Sequence, residues 1–400
     1  MTNAQLCVRL FVRWESDIED WKLIMLKLYI LLAVVVWLAM QSQKNTQARL
    51  AAGVQSFHAR RMDMWCVLLF LALLYVAGLR TSFNDTQNYI SGFRSMPAPA
   101  EWWDNQDNWN IFHNPAFYFL ESWLRSKTDN AQIFIFLTAA FTEFSMVRFF
   151  KRHVENFPFS IFLFLTLGTF CFTLAAIKQC LAMAILTYAI TALKDNKWVR
   201  YYLLVFLAML FHTYALAFVF LPLFRAKPWS WFTYLFVLAL VLVMLNFESA
   251  ITSFLDFAGE QGKDIAEYEV FDDHGTNIFR VLVYAVVPAM SLIFQKKLFE
   301  NSTPEENVLV HMSIISLAFM LLGTFAGANM FGRMGNYFEL GTICCLPWML
   351  RKCFQGKPYR LICIAAVVGF LAYFTYAYGF HTPFDQNYSA TTIWALLRST

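Results

Sequence analysis

In the stretch GLRTSFNDTQNY, residues 78–89, Arg80 and Asp85 stand five residues apart where an apolar run ends. If the segment after Arg80 is helical, Asp85 and Tyr89 lie four apart on one face. Three further sets share this setting, a titratable or amide side chain in or at the rim of an apolar run. AIKQC (176–180) places Lys178 and Gln179 between two apolar runs with almost no loop. His212 sits between Phe211 and Tyr214 inside another run, and GRMGNYF (332–338) places Arg333 one helical turn before Tyr337. A full charge at the centre of a bilayer costs roughly 2.5–3.5 kcal/mol on insertion scales, so such residues carry functional hypotheses by default. Arginine grips phosphate with two bonds and lysine meets it as a point charge, which makes an anion the natural client of Arg80, Lys178 and Arg333. Asp85 and His212 are the candidate proton acceptors. Gly327, Gly332 and Gly335 would let backbone approach a ligand closely. Plainer readings stand beside these: Arg80 snorkelling with Asp85 as its partner, Lys178 as an interface anchor, His212 bonded to a carbonyl, and Arg333 meeting lipid phosphate.

The elements that must position these groups are membrane helices. Hydrophobic residues make up 59% of the 400, charged residues 14%, and the mean hydropathy is +0.48, a mixture that excludes an ordinary soluble domain. Apolar runs predict spans over 23–40, 64–79, 132–150, 159–174, 177–193, 201–224, 229–245, 278–294, 308–326, 337–350 and 361–378, an all-α polytopic membrane protein of about 10–11 transmembrane helices. The first run is too long for a cleaved signal peptide. The chain then divides into an N-terminal extension (1–22), one transmembrane domain (23–378) and a C-terminal tail (379–400). The eight cysteines lie mostly in apolar runs, with no paired spacing and no zinc pattern, and read as packing residues. A formal charge of +4 gives no reason to invoke nucleic acid.

Charge sets the orientation. The segments carrying Lys44, Arg49, Arg60 and Arg61, then 148–153, 194–200, 296–297 and 351–360, are basic and should face the cytoplasm, whereas the acidic loops 80–130 and 246–277 should lie outside. Residues 201–224 resist this alternation, with Lys197 and Arg200 before them and Arg225 and Lys227 after. They suit either a re-entrant pair of half-helices turning near Phe211-His212-Thr213 or an ordinary span. The hairpin leaves ten full spans with both termini outside; the span makes eleven and violates the downstream charge pattern. Ile111 to Arg125 reads as an amphipathic helix on the outer leaflet. On this topology Arg80, Lys178 and Arg333 are outer cations against the orientation rule. A lipid-linked pyrophosphate at the outer leaflet would satisfy all three.

These motifs, in this order, resemble the EpsG family of Wzy-like bacterial polysaccharide polymerases. Gly78, Leu79, Arg80, Asp85, Thr86, Tyr89 and Phe93 match the family's Gly-Leu-Arg and Asp-Thr pattern. Ile177, Lys178, Gln179 and Ala182 match its Ile-Arg-Gln motif, Phe211, His212, Ala215 and Leu216 its Phe-His motif, and Arg333, Tyr337 and Phe338 its late Arg/Tyr-Phe motif. Lys178 replaces the family's usual arginine, and Asn84 the glycine common before the aspartate. The resemblance implies a glycosyltransferase of the bacterial cytoplasmic membrane that joins polyprenyl-pyrophosphate-linked oligosaccharide repeat units into an exopolysaccharide, capsule or O-antigen at the outer face. Membrane lipid, and export and chain-length proteins, would be its partners, and it would use no cofactor and no metal. Arg80, Lys178 and Arg333 would clamp the pyrophosphate, with Tyr89, Gln179 and Tyr337 beside them. Asp85 or His212 would take the hydroxyl proton, Asp85 being favoured because the depth of His212 depends on the hairpin. Trp102, Trp103, Trp109, Phe117 and Tyr118 are candidates for sugar stacking or interface anchoring. A flippase for the same lipid-linked oligosaccharide would want polar residues along several spans from face to face. An O-acyltransferase would want a histidine reached from the cytoplasm.

Overall fold

The computed structural model describes residues 3–245, 276–324, 329–381, 384 and 388–398. Most of the expected outer loop 246–277 therefore lies outside the described residues. The described residues are mostly helical: α1 (Asn3–Ala51), α2 (Met64–Gly78), α3 (Thr86–Ser95), α4 (Pro115–Arg125), α5 (Ala131–His153), α6 (Phe157–Thr166), α7 (Thr169–Ala175), α8 (Ile177–Lys194), α9 (Trp198–Phe211), a 3-10 helix (Thr213–Arg225), α10 (Trp231–Leu245), α11 (Ile278–Ile293), α12 (Pro304–Leu322), α13 (Asn329–Cys353) and α14 (Gly356–Thr375). Two short strands, β1 (Arg80–Ser82) and β2 (Ser389–Ala390), pair antiparallel.

Among the described residues five helices are long and apolar enough to cross a bilayer, or six if α6 and α7, bent by 53° at their junction, form one span. That is fewer than the ten or eleven spans expected. Helices such as α2, at 15 residues, rise only about 22 Å and need their flanks to cover a core of about 30 Å. α13 is 25 residues long but carries Arg333, Asn336 and Glu339.

Polar contacts gather at two ends. At the basic end Lys151 Nζ donates to Thr46 Oγ1 at 2.6 Å, Lys194 and His153 each meet Glu305 at 2.7 Å, and Lys352 Nζ donates to the Leu298 carbonyl at 2.8 Å. The basic segment after the first span is not all loop, because α1 runs on through Ala51 and carries Lys44 and Arg49. The opposite end holds residues 80–95, 110–130, 176–180, 212–214, 276–280, 376–381 and 388–391.

Residues 201–224 adopt the hairpin. α9 stops at Phe211, His212 is extended (φ −156°, ψ 117°), and the 3-10 limb returns. The two feet meet where Arg225 Nη2 donates to Asn196 Oδ1 at 2.8 Å at the basic end. The tip reaches the opposite end, where the Thr213 amide donates to Asn114 Oδ1 at 3.0 Å and its hydroxyl to the Phe112 carbonyl at 2.7 Å. Tyr201, buried between the limbs, bonds the Phe218 carbonyl.

The amphipathic helix is shorter than 111–125. Asn114 takes φ +55° and Pro115 occupies the first helical position, so α4 starts there. Its buried face, Phe117, Glu121, Ser122 and Leu124, packs on the protein and leaves Trp123 exposed.

Candidate functional site

Arg80 begins β1, directly after α2. Its side chain is 1% exposed: Nη1 donates to the Ala77 carbonyl and Nε to Thr86 Oγ1 at 3.3 Å. β2 lies against this segment, Thr81 and Ser389 sharing a hydroxyl bond of 2.6 Å and the Thr391 amide donating to the Leu79 carbonyl at 2.8 Å. Arg80 does not turn to Asp85. Burial pulls its guanidinium down to about 10, and the opposite charge of Glu143 on α5 pushes back, so it stays a cation at neutral pH.

Between them, Asn84 takes φ +44°. Glycine adopts this left-handed region freely and asparagine tolerates it, which explains why asparagine can stand at a glycine position. Asp85 then becomes the N-cap position of α3, half-buried, without a side-chain cap bond. Tyr89 follows one turn later, its hydroxyl against the Lys178 backbone; burial drives it above the ordinary tyrosine range.

Lys178, in the first turn of α8, is half-buried. Nζ donates to the Tyr118 hydroxyl at 3.0 Å and stands 5.7 Å and 5.1 Å from the Phe117 and Tyr118 ring centres. Beneath it, the Glu121 carboxyl is 2% exposed. Burial raises it to about 8, against the pull of Lys178, so it is mostly protonated at neutral pH. Gln179 Nε2 donates to the Arg333 carbonyl at 2.8 Å, tying α8 to α13. The Arg333 side chain is exposed. One turn on, the Tyr337 hydroxyl, 1% exposed, shares a 2.8 Å bond with His212 Nδ1 at the hairpin tip.

The end opposite the basic one thus joins motifs that lie more than 100 residues apart. Tyr89, Lys178, Gln179, His212, Arg333 and Tyr337 are linked directly or through one neighbour. Arg80 is buried, and Asp85 is tied in through the turn it starts and through its charge beside Tyr89. Gly335 serves packing instead of ligand approach: a Cβ there would stand 2.9 Å from Met320 Cε and 3.1 Å from the Ser316 carbonyl oxygen. Gly327 lies outside the described residues.

Sequence reasoning passed over two mid-helix carboxylates and an arginine. Glu143 is fully buried in α5 and accepts a 2.6 Å bond from Thr173. Glu339 on α13 is 1% exposed, and Arg280 in the first turn of α11 donates to Asn336 Oδ1 at 2.5 Å. Averaged hydropathy hides single charges inside apolar windows; the cost of burying each was the signal available. Among the described residues no group of three or more His, Cys, Asp or Glu side chains could hold a metal ion.

The model of the EpsG family matches residues 63–390, most of the chain. No curated protein and no solved structure matches it.

Proposed function

The chain belongs to the EpsG family of Wzy-like polysaccharide polymerases, and from that premise we propose that it is a membrane glycosyltransferase acting on polyprenyl-pyrophosphate-linked oligosaccharide repeat units. The reaction takes place at the end opposite the basic one, the outer face of the cytoplasmic membrane if basic segments face inward. The observation that carries this reading is the pair of bonds joining three separate motifs there, Gln179 to the Arg333 carbonyl and His212 to Tyr337.

In the step proposed, the oxygen of an acceptor sugar hydroxyl attacks the anomeric carbon of the donor chain. The bond from that carbon to the pyrophosphate oxygen breaks, and its electron pair leaves with polyprenyl pyrophosphate. That leaving group is already an anion, so electrostatic clamping matters more than a general acid. We assign this clamping to half-buried Lys178 and exposed Arg333. Arg80, held by Ala77 and Thr86, contributes its field and fixes the turn leading to Asp85. The hydroxyl proton goes to His212. The hairpin brings this histidine to the reacting end, and its bond to Tyr337 fixes the ring, which moves the preference from Asp85 to His212.

The test is elongation by purified protein in liposomes supplied with lipid-linked repeat units isolated from the producing cells. A ladder of longer chains is expected from the wild type, and its loss from Lys178→Ala/Arg333→Ala and from His212→Ala. An intact ladder in the double variant would refute the clamp, and loss in Asp85→Asn but not His212→Ala would return the base to Asp85. Repeat units that change leaflet without elongating would favour a flippase.

A further inference from the structure

The basic end holds a recess that the proposed reaction does not use. Between the last turns of α1 and the start of α2 it opens to about 520 Å³, with Gln41, Lys44, Asn45, Arg49, Asp63 and Trp65 in its wall, a size within the range of small-molecule sites. Asp63 is already committed. Its carboxylate accepts from Ser42 Oγ at 3.0 Å, Asn45 Nδ2 at 3.1 Å and the Cys66 amide at 3.0 Å, and buried Lys151 of α5 pairs with it at 3.5 Å. Lys44 and Arg49 differ: among the described residues neither side chain makes a hydrogen bond or an ion pair. Arg49 also stands close enough to Lys151 for the two cations to repel. Three cations thus gather about one carboxylate. The orientation rule accounts for cations at this end, but not for two of them sharing one recess without a counter-charge.

Apolar surface adjoins the recess. Trp65 meets Trp37 edge to face, ring centres 5.7 Å apart, and Trp37 lies two turns before Lys44 on the same side of α1, towards the middle of the span. From there Val34 and Ile30 continue one face of α1. These three are 43–53% exposed, as is Leu68 on α2 at 40%. A soluble anion has no use for such a face, whereas a phospholipid can lay its acyl chains along it.

We propose that this recess binds the headgroup of an anionic glycerophospholipid in the leaflet at the basic end. Lys44 and Arg49 meet the phosphate oxygens, Arg49 with its two-pronged geometry and Lys44 as a point charge. The amide oxygens of Gln41 and Asn45 accept from headgroup hydroxyls, and the acyl chains follow Trp37 and Leu68. Basic pockets between membrane helices on the cytoplasmic side are the usual setting for such lipids. The proposal is independent of the glycosyltransferase reading, because it concerns the other end of the molecule and its test needs no elongation.

The experiment measures lipid binding to the purified full-length protein in detergent by native mass spectrometry and by melting temperature. The probe is phosphatidylglycerol, with phosphatidylcholine as the neutral lipid and glycerol 3-phosphate as the soluble phosphate. The wild type should prefer phosphatidylglycerol, and Lys44→Ala/Arg49→Ala should weaken that binding about ten- to thirty-fold with an unchanged melting temperature in phosphatidylcholine. Lys357→Ala/Arg360→Ala removes the same charge from exposed positions at the same end and should stay within about two-fold of wild type. Ala48→Trp, at another residue of the recess wall, keeps both cations and fills the space, so it should also weaken binding. Equal losses in the two double variants, unchanged binding in Ala48→Trp, or no preference over phosphatidylcholine would overturn the site. Protection by glycerol 3-phosphate equal to that by the lipid would overturn the lipid assignment in favour of a soluble phosphate.

Discussion

Replacing Gly168 by alanine probes the break between α6 and α7. Gly168 has φ +90° and ψ 6°, and a residue with a Cβ is disfavoured in that left-handed region by about 1–2 kcal/mol. The added Cβ would also stand 2.0 Å from the Tyr378 hydroxyl oxygen, 2.9 Å from Cζ and 3.0 Å from Cε2. The ring has to swing out, losing its bond to the Gly168 carbonyl and disturbing its 5.5 Å contact with Phe374, an overpacking term of about 1–3 kcal/mol. The two effects together destabilise by roughly 2–5 kcal/mol. Tyr378→Phe deletes the nearest clashing atom, so Gly168→Ala should cost less in that background, with a coupling of about 1 kcal/mol or more. The assay is unfolding of the four proteins in detergent, followed by tryptophan fluorescence against temperature and against denaturing detergent. Strict additivity would refute the reasoning, because it would mean that the alanine methyl never meets the tyrosine.

Other expectations follow from the same geometry. Glu121 should make stability depend on pH: its folded value of about 8 lies above an ordinary 4.5, so its contribution is harmless below 4.5, turns unfavourable as pH rises towards 8 and then levels. Melting curves of Glu121→Gln should lack that decline, and identical pH profiles would show that Glu121 is not held neutral. Asn84→Gly should be neutral or slightly stabilising and Asn84→Val destabilising by about 1–2 kcal/mol, read from melting temperatures. Single cysteines at Asn196 and Lys227 should label from the same side of sealed vesicles and one at Asn114 from the other; labelling of 196 and 227 from opposite sides would remove the hairpin.

Much of this was legible in the sequence, for identifiable reasons. Cationic residues at both feet of 201–224 force the chain back to the side it left, and the Asn196–Arg225 bond is that return. The motifs around Arg80, Lys178, His212 and Arg333 were legible as residue types, but not their grouping. That depends on which helices pack together, which hydropathy does not encode. Glu143, Arg280 and Glu339 vanished into apolar windows. The cover over Arg80 also left no trace: strands of three and two residues are too short to show alternation, and the partner lies 308 residues away. The helix start at Pro115 was written in Asn114-Pro115 but was overridden by the aromatic periodicity before it.

The pairing of β1 with β2 also has a consequence for biogenesis. The arginine-bearing strand leaves the ribosome 308 residues ahead of its partner, the separation of Thr81 from Ser389. Until that partner is made, the first motif waits with its strand edge unpaired. A nascent or truncated product ending before residue 389 would therefore carry every motif of the site without the strand that pairs with β1.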